Sequence, residues 1–226
     1  SERTKKLITI LLSLPKSLYV NFKCFDLHTA LRFPALVSYR VRLKGLKRGK
    51  FMFDHCSIKP GMVRLGISDG AYEKGKYLKS YFSLVSGSKI IHRGVHIANN
   101  FAINMCPNGE LILGDNFSSN YGLTISCSKH IEFGDDCLLG WHCTFIDGDG
   151  HPVFDEAGNT INEDKNIIVG THVCIAAEVT CLKGARIADD CVIGFGSTVS
   201  KEFQEKNCMI AGTPAKKIKE KIKWKH

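Results

Sequence analysis

An aliphatic residue returns every six positions at Ile187, Ile193 and Val199, with a small residue after it at Ala188 and Gly194. The phase is the same upstream in Val169-Gly-Thr-His-Val-Cys174 and Ile175-Ala-Ala-Glu-Val-Thr180. The pattern recurs, in its own phase, in Phe133-Gly-Asp-Asp-Cys-Leu138, Leu139-Gly-Trp-His-Cys-Thr144 and Leu113-Gly-Asp-Asn-Phe-Ser118, and Ile91, Ile97 and Ile103 keep the period with poorer small-residue matches. A fixed short period marks a solenoid, and six residues is the period of a parallel β-helix. Each unit then supplies one short strand and a corner, and three units close a triangular turn. The aliphatic residue points inward onto its equivalent one turn away. The small residue suits a tight corner, where glycine also accepts positive φ, and the Asp and Asn that follow are turn formers. The pattern is densest over 111–200, sparser over 85–110 and faint before that. The expectation is a mainly β chain: a coil over 51–217, an N-terminal basic and apolar segment over 1–50, and a basic tail over 218–226.

The repeat breaks once. Phe145-Ile-Asp-Gly-Asp-Gly-His-Pro152 opens a polar, glycine-rich interruption spanning 147–167, and the period resumes at Ile167. A loop that leaves a regular coil and carries a histidine is a candidate catalytic loop, since imidazole is the side chain suited to moving a proton near neutral pH. His151 is therefore the predicted catalytic residue. The solvated-loop alternative does not account for Pro152 and the resumed coil together.

The rest of the chain narrows the class. At 226 residues one solenoid can bury a large core, so no second globular domain is needed. Ten cysteines include no Cys-x-x-Cys pair, and Cys137, Cys143 and Cys191 share the fifth position of their hexads, where a thiol acts as a small inward hydrophobe. Reduced, structural cysteines and a cytoplasmic setting follow. Arg3, Lys5 and Lys6 precede the apolar run Leu7–Leu14, which is too short to span a bilayer and has no small-residue cleavage site close behind it. A short helix packed on the end of the coil is expected there, with a weak, reversible membrane-surface contact as the other reading. Residues 21–39 read as mixed helix and extended chain, 66–84 as a loop or hairpin extruded from an early turn, and the charge runs as solvated surface. The net charge of +9 brings no aromatic-basic motif with it, which argues against nucleic acid as a partner.

Asp147-Gly-Asp-Gly-His-Pro152, the repeats resumed at Ile167 and the closing Gly212-Thr-Pro-Ala-Lys216 resemble the hexapeptide-repeat acyltransferases, in the branch that includes maltose, galactoside and capsular-polysaccharide O-acetyltransferases. The resemblance covers about 85–219. Phe33-Pro-Ala-Leu-Val-Ser-Tyr-Arg40 further resembles the N-terminal part of capsular-polysaccharide acetyltransferases. The resemblance implies a left-handed parallel β-helix, an exception to the general preference for right-handed crossovers. It also implies a homotrimer with its active site between neighbouring coils, acetyl-CoA as acyl donor and a sugar or glycan hydroxyl as acceptor.

Residue by residue, the resemblance makes His151 the general base, with Asp147, Asp149 or a backbone carbonyl left open as the group that orients it. Asn120 matches an asparagine that contacts the sugar, Ser128 replaces a sugar-binding carboxylate, and Asp149 and the wall of Trp141 complete the substrate set. Ala177 and Phe195 correspond to the path of the pantetheine arm. Ser200, Lys201 and Lys216 correspond to the nucleotide end, where the positive charge suits phosphates. Cys174 stands where the family usually carries tryptophan.

Rival functions are a nucleotide-sugar N-acetyltransferase, a non-catalytic coil and a metal-dependent carbonic anhydrase on the same scaffold. The last needs paired histidines with four residues between them, and His92 and His96 have three. No metal is expected. His142 and His172 share the fourth hexad position and read as satisfied surface residues.

Overall fold

The computed structural model describes residues 2–68 and 79–225. Its core is a three-sided prism of parallel strands. The first face runs from Ala35–Val37 to Met209–Ala211, the second from Val41–Lys44 to Thr198–Val199, and the third from Phe51–Phe53 to Glu202–Phe203. Successive strands in the chain fall on successive faces, so each strand pairs with one a full turn away, as Leu139 does with Ser119 below and Ile175 above.

The hexad residues do what their period predicts. Leu113, Phe133, Leu139, Val169, Ile175, Ile187, Ile193 and Val199 are all buried in one continuous core. Cys137, Cys143 and Cys191 join them, every cysteine is a free thiol, and burial pushes the Cys137 and Cys143 thiols up to about 12. One phase assignment shifts by a residue. Ile90 and His92 point inward, and Ile91 lies half-buried outside them. His92 therefore occupies the slot held by Phe53 one turn below and Leu113 one turn above.

The small residue after each aliphatic has a different purpose from the one its position suggested. Positive φ falls two residues later, at Asn116, Asp136, His142, His172, Glu178 and Asp190. Gly134 is small because the neighbouring turn is close: a Cβ there would stand 2.7 Å from the carbonyl carbon of Gly170, and one on Gly140 would stand 2.5 Å from the nitrogen of Ala177. Contact between turns selects glycine, and the bend falls two places on, at Asn or Asp in three of these six corners.

The coil also begins earlier than its repeats show. Ala35–Val37, Val41–Lys44 and Phe51–Phe53 form the first turn, within the segment read as N-terminal, and Ser80–Leu84 is a regular strand of the second face. These turns bury Phe25, Phe51 and Phe82 with edge and tilted ring contacts, which hides the aliphatic period. Of the loop or hairpin expected over 66–84, positions 69–78 lie outside the described residues.

Both ends of the stack are covered. Helix α1 (Glu2–Cys24), longer than expected and continuous through Pro15, lies against the first turn. Its Ser13, Ser17 and Asn21, spaced one helical turn apart, are buried and face the open edge. Ser17 Oγ accepts from the Val37 nitrogen at 2.9 Å, and Asn21 both donates to the Ala35 carbonyl at 2.8 Å and accepts from its nitrogen at 3.1 Å. Lys16 Nζ donates to the Tyr39 and Val41 carbonyls at 2.6 and 2.7 Å. A five-residue helix, α2 (Leu27–Leu31), leads into the coil. At the other end Lys216–Lys219 pairs antiparallel to Met209–Ala211, and Trp224 stacks on His172 at 4.0 Å. The basic tail is docked through a strand and a ring.

His92 gives the core a pH dependence. Its ring is fully buried among Phe51 and Phe53, both nitrogens are without a hydrogen bond among the described residues, and burial pushes its pKa from 6.5 down to about 3. The unfolded chain then binds the extra proton, so this contribution to stability is full above pH 6.5 and is lost as pH falls towards 3. His92→Leu is expected to flatten this acid limb, with its gain in melting temperature over the wild type growing as pH falls. A constant difference across that range would show that His92 does not set the limb.

Candidate active site

The loop that carries His151 leaves the prism between Thr144–Ile146 of the second face and Ile167–Val169 of the third. Two clamps hold it. At its base Asp147 is fully buried, and its carboxylate accepts from three successive backbone nitrogens: Ser128 at 2.6 Å, Lys129 at 2.9 Å and His130 at 2.8 Å. Charge-assisted bonds of this kind are about twice as strong as neutral ones. Asp147 therefore anchors the loop to the coil and is not free to orient the imidazole. Gly148 follows because a Cβ there would fall 2.3 Å from Asp164 Oδ1 and 2.9 Å from Ser128 Oγ.

The second clamp is Asn162, from the returning limb of the loop. Its Nδ2 donates to the His151 carbonyl and to Asp149 Oδ2, both at 2.8 Å, and its Oδ1 accepts from the Val153 nitrogen at 2.7 Å. Lys183, on the turn above, donates to Asp149 Oδ2 at 2.5 Å and to the Asn162 carbonyl at 2.9 Å. Asp149 is thus a loop brace, and Lys183 first, then Asn162, hold its carboxyl below the usual carboxylate range. The result is a fixed backbone at 149–153 and an imidazole that projects into solvent. Beyond it the loop closes with a bridge between Phe154 and Thr160 and leaves Val153, Phe154 and Ile161 exposed.

The remaining predicted residues divide between two edges of the prism. Asn120, Trp141, Ala177 and Phe195 all follow strands of the first face, on successive turns, at the corner leading to the second. Ala177 is buried, Phe195 is 67% exposed, and the Gly196 nitrogen donates to the Ala177 carbonyl at 3.0 Å. Thr213 packs on this corner, its Oγ1 donating to the Gly196 carbonyl, and the exposed Lys216 opens the strand that follows. His151, Asp149, Ser200 and Lys201 belong to the next corner, between the second and third faces. Ser200 is exposed, and Lys201 lies 5.4 Å from the Phe203 ring centre. Within one chain His151 is thus brought to Lys183 and Ser200's corner, and not to the corner of Asn120, Trp141, Ala177 and Phe195.

Of the other histidines, His172 bonds Asp190 at 2.9 Å beneath Trp224, and His142 meets Tyr121 edge-on at 5.5 Å. Among the described residues no group of three or more His, Cys, Asp or Glu side chains could hold a metal ion. Asn162 and Lys183 escaped the sequence reading. Asn162 lies outside any period, and Lys183 is one of 31 basic residues. The excess of charge masks a lysine aimed at the loop.

No protein-family model matches the chain. It is 30% identical over 191 residues to an uncharacterized 24.8 kDa protein in the cps region of Klebsiella pneumoniae, covering 84% of this chain and 81% of that one. It is 35% identical over 109 residues to the galactoside O-acetyltransferase of Escherichia coli K12, covering 48% of this chain and 53% of that enzyme, so the match spans about half the length of the named relative. Among solved structures, the polySia-specific acetyltransferase NeuO superposes with a TM-score of 0.51 at 22% identity, covering 82% of this chain and 87% of that one. The prism is thus a left-handed parallel β-helix. The chain belongs to the hexapeptide-repeat acyltransferases, and with them to the enzymes.

Asn162→Ala frees the His151 carbonyl, Asp149 and the Val153 nitrogen together. Misplacement of a catalytic group by about 1 Å can cost 10²-fold. A fall in kcat of up to about 10²-fold is expected, with little change in melting temperature because the loop is exposed. Steady-state kinetics beside a thermal melt would check this, and an unchanged kcat would show that Asn162 does not position the site.

Proposed function

We propose that this chain transfers the acetyl group of acetyl-CoA to a hydroxyl of a sugar or glycan, with His151 as general base. The observation that carries the reading is the double clamp, which holds one backbone segment in place and leaves the His151 side chain exposed at its tip. The neutral imidazole takes the proton of the acceptor hydroxyl as that oxygen attacks the thioester carbonyl. The C–S bond then breaks, the thiolate takes the proton back from the imidazolium, and CoA and the O-acetyl ester leave. General-base assistance of this kind is worth roughly 10²–10⁴ in rate, and a good backbone donor to the oxyanion about 3 kcal/mol more.

Acceptor and setting come from the relatives. A galactoside enzyme and a polySia-specific one lie on the same scaffold, and another relative belongs to a cps region. These support a polysaccharide unit of the cell envelope or capsule as acceptor. The net charge of +9 suits both CoA phosphates and an anionic glycan. Acetyl-CoA supply and ten free thiols favour the cytoplasm.

The active unit is a homotrimer. The His151 corner and the Asn120, Trp141, Ala177 and Phe195 corner are different edges of one prism, so they form one site only when a second copy brings its edge to the loop. Exposed Val153, Phe154, Ile161 and Phe195 are the apolar surface such an approach would cover.

Acetyl-CoA thiol release against a panel of sugars and capsular oligosaccharides, with His151→Ala beside the wild type, tests the chemistry. Acceptor-dependent release that falls by 10²-fold or more is expected, and release that survives the substitution overturns the base assignment. The shared site has its own test. Ala177→Trp blocks the proposed pantetheine path on one edge, and His151→Ala removes the base on the other. Each variant alone is expected to be inactive, and mixed trimers refolded together are expected to regain activity. No recovery in verified mixed trimers would show that the two positions are needed in the same chain and would overturn the shared site.

A further inference from the structure

Helix α1 is turned inside out for a helix on a folded domain. Ser13, Ser17 and Asn21 face the coil together with Val20 and Cys24, and most of the other apolar residues face outward. Leu7, Leu11, Leu14, Leu18 and Phe22 are 37–58% exposed, and Ile8, Leu12 and Tyr19 at least 50%. At 100° per residue they occupy one continuous arc of about 160°. Surface helices normally bury such a stripe, and a contiguous exposed apolar strip marks an interaction surface. The polar ladder explains why this one cannot turn inward. Ser17 and Asn21 satisfy the backbone of the first strand and Ser13 accepts from the Tyr39 nitrogen just beyond it, so rotating the helix would leave those groups bare.

The strip's surroundings identify what it meets. Beside it lies an open groove of about 1100 Å³ with walls from Tyr19 and Tyr39 and cations from Lys16, Arg40, Arg42 and Lys79. Arg3, Lys5 and Lys6 fall in the first turns of the helix, and Lys44, Lys47 and Arg48 continue the basic run from the adjacent strand. Acidic residues are sparse here, with Glu2 and Asp26 alone among residues 1–50. No helix among the described residues is long and apolar enough to cross a membrane. An apolar stripe flanked by basic side chains, on a helix fixed flat against one end of a rigid prism, fits the interface of an anionic lipid bilayer.

We propose that α1 and this groove dock the enzyme on an anionic membrane surface, apolar arc in the acyl boundary and cations at the headgroups. The end of the prism would then lie against the bilayer, with the His151 loop on the fifth turn held above it. This goes beyond the acetyl transfer proposed above and does not depend on it, because docking is read with no acyl donor present.

Flotation with phosphatidylcholine vesicles, with and without phosphatidylglycerol, tests the surface. The wild type is expected to float with the anionic vesicles and much less with the neutral ones, and added salt is expected to weaken it. Leu11→Glu with Leu18→Glu alters only exposed positions, and is expected to reduce the bound fraction about tenfold or more. The same variant should keep its circular dichroism spectrum and its turnover on a water-soluble glycan. His151→Ala should float like the wild type, so failure of the catalytic reading and failure of docking are separate results. No flotation of the wild type, equal flotation on neutral vesicles, or undiminished flotation of the double variant each overturns the proposal. So does sedimentation showing that, without lipid, the wild type forms a larger assembly that the double variant cannot, because the strip would then belong to a second copy of the chain.

Discussion

Every turn of the coil must satisfy its backbone on the turns on either side, and that single demand organises the molecule. Parallel strands one turn apart leave no freedom in spacing, so the corners must let the chain pass within touching distance of itself. The glycines of the hexads answer this. At Gly134 and Gly140 the neighbouring turn's backbone stands where a Cβ would be. Corner bending is delegated to the residue two places on, where Asn116, Asp136 and Asp190 take the left-handed conformation that Asn and Asp tolerate best. A six-residue period is the sequence trace of these two separate requirements.

The same demand makes the two ends hazardous, since an open turn offers unpaired strand edges. The chain closes them by unlike means. At the C-terminal end Lys216–Lys219 reverses direction and pairs, and Trp224 pins the tail on His172. At the N-terminal end side chains substitute for a strand: Ser13, Ser17 and Asn21 meet the edge at helical spacing, and Lys16 reaches two further carbonyls. Polar residues are spent inward to do this, which leaves most of the helix's apolar residues, Val20 and Cys24 excepted, facing outward. The exposed strip is thus a consequence of capping the stack, available for a partner that tolerates both grease and positive charge.

Legibility followed chemistry. The coil was readable over 111–200 because aliphatics repeat there with glycine or alanine behind them. It faded over residues 35–65 because aromatic and irregular packing fills the same slots. Phe51, Phe82 and His92 hold inward positions that an aliphatic period cannot recognise, and Ile91 beside His92 drew the phase one residue out. A short helix was expected over the apolar run Leu7–Leu14, yet α1 continues through Pro15, because the helix is fixed by its contacts with the first strand along a whole face. The loop that carries His151 was visible through the break in the repeat. What holds it was not. Asp147 looked like a partner for the imidazole and is committed to three backbone nitrogens. Asn162 does the positioning through a backbone carbonyl, a role that leaves no pattern in a sequence.

The division of the candidate residues between two edges of the prism follows from the same geometry. A solenoid with a triangular section has corners that face away from one another, so residues at equivalent places on successive turns align along one edge and can never converge with those of the next. Such a scaffold stacks wall residues easily, as Trp141, Ala177 and Phe195 show, but cannot fold a cleft around them. Two routes to a cleft remain: a loop long enough to reach across a face, or a neighbouring copy. The loop over 147–167 is tied back to its own corner by Asp147, Asn162 and Lys183, so its reach is spent in rigidity. A rigid loop that cannot bend over its own face can still present a histidine to another chain, with the precision that proton transfer needs. The tightness of the clamp thus fits the proposed trimer, in which a neighbouring copy would supply the concavity that the coil itself does not make.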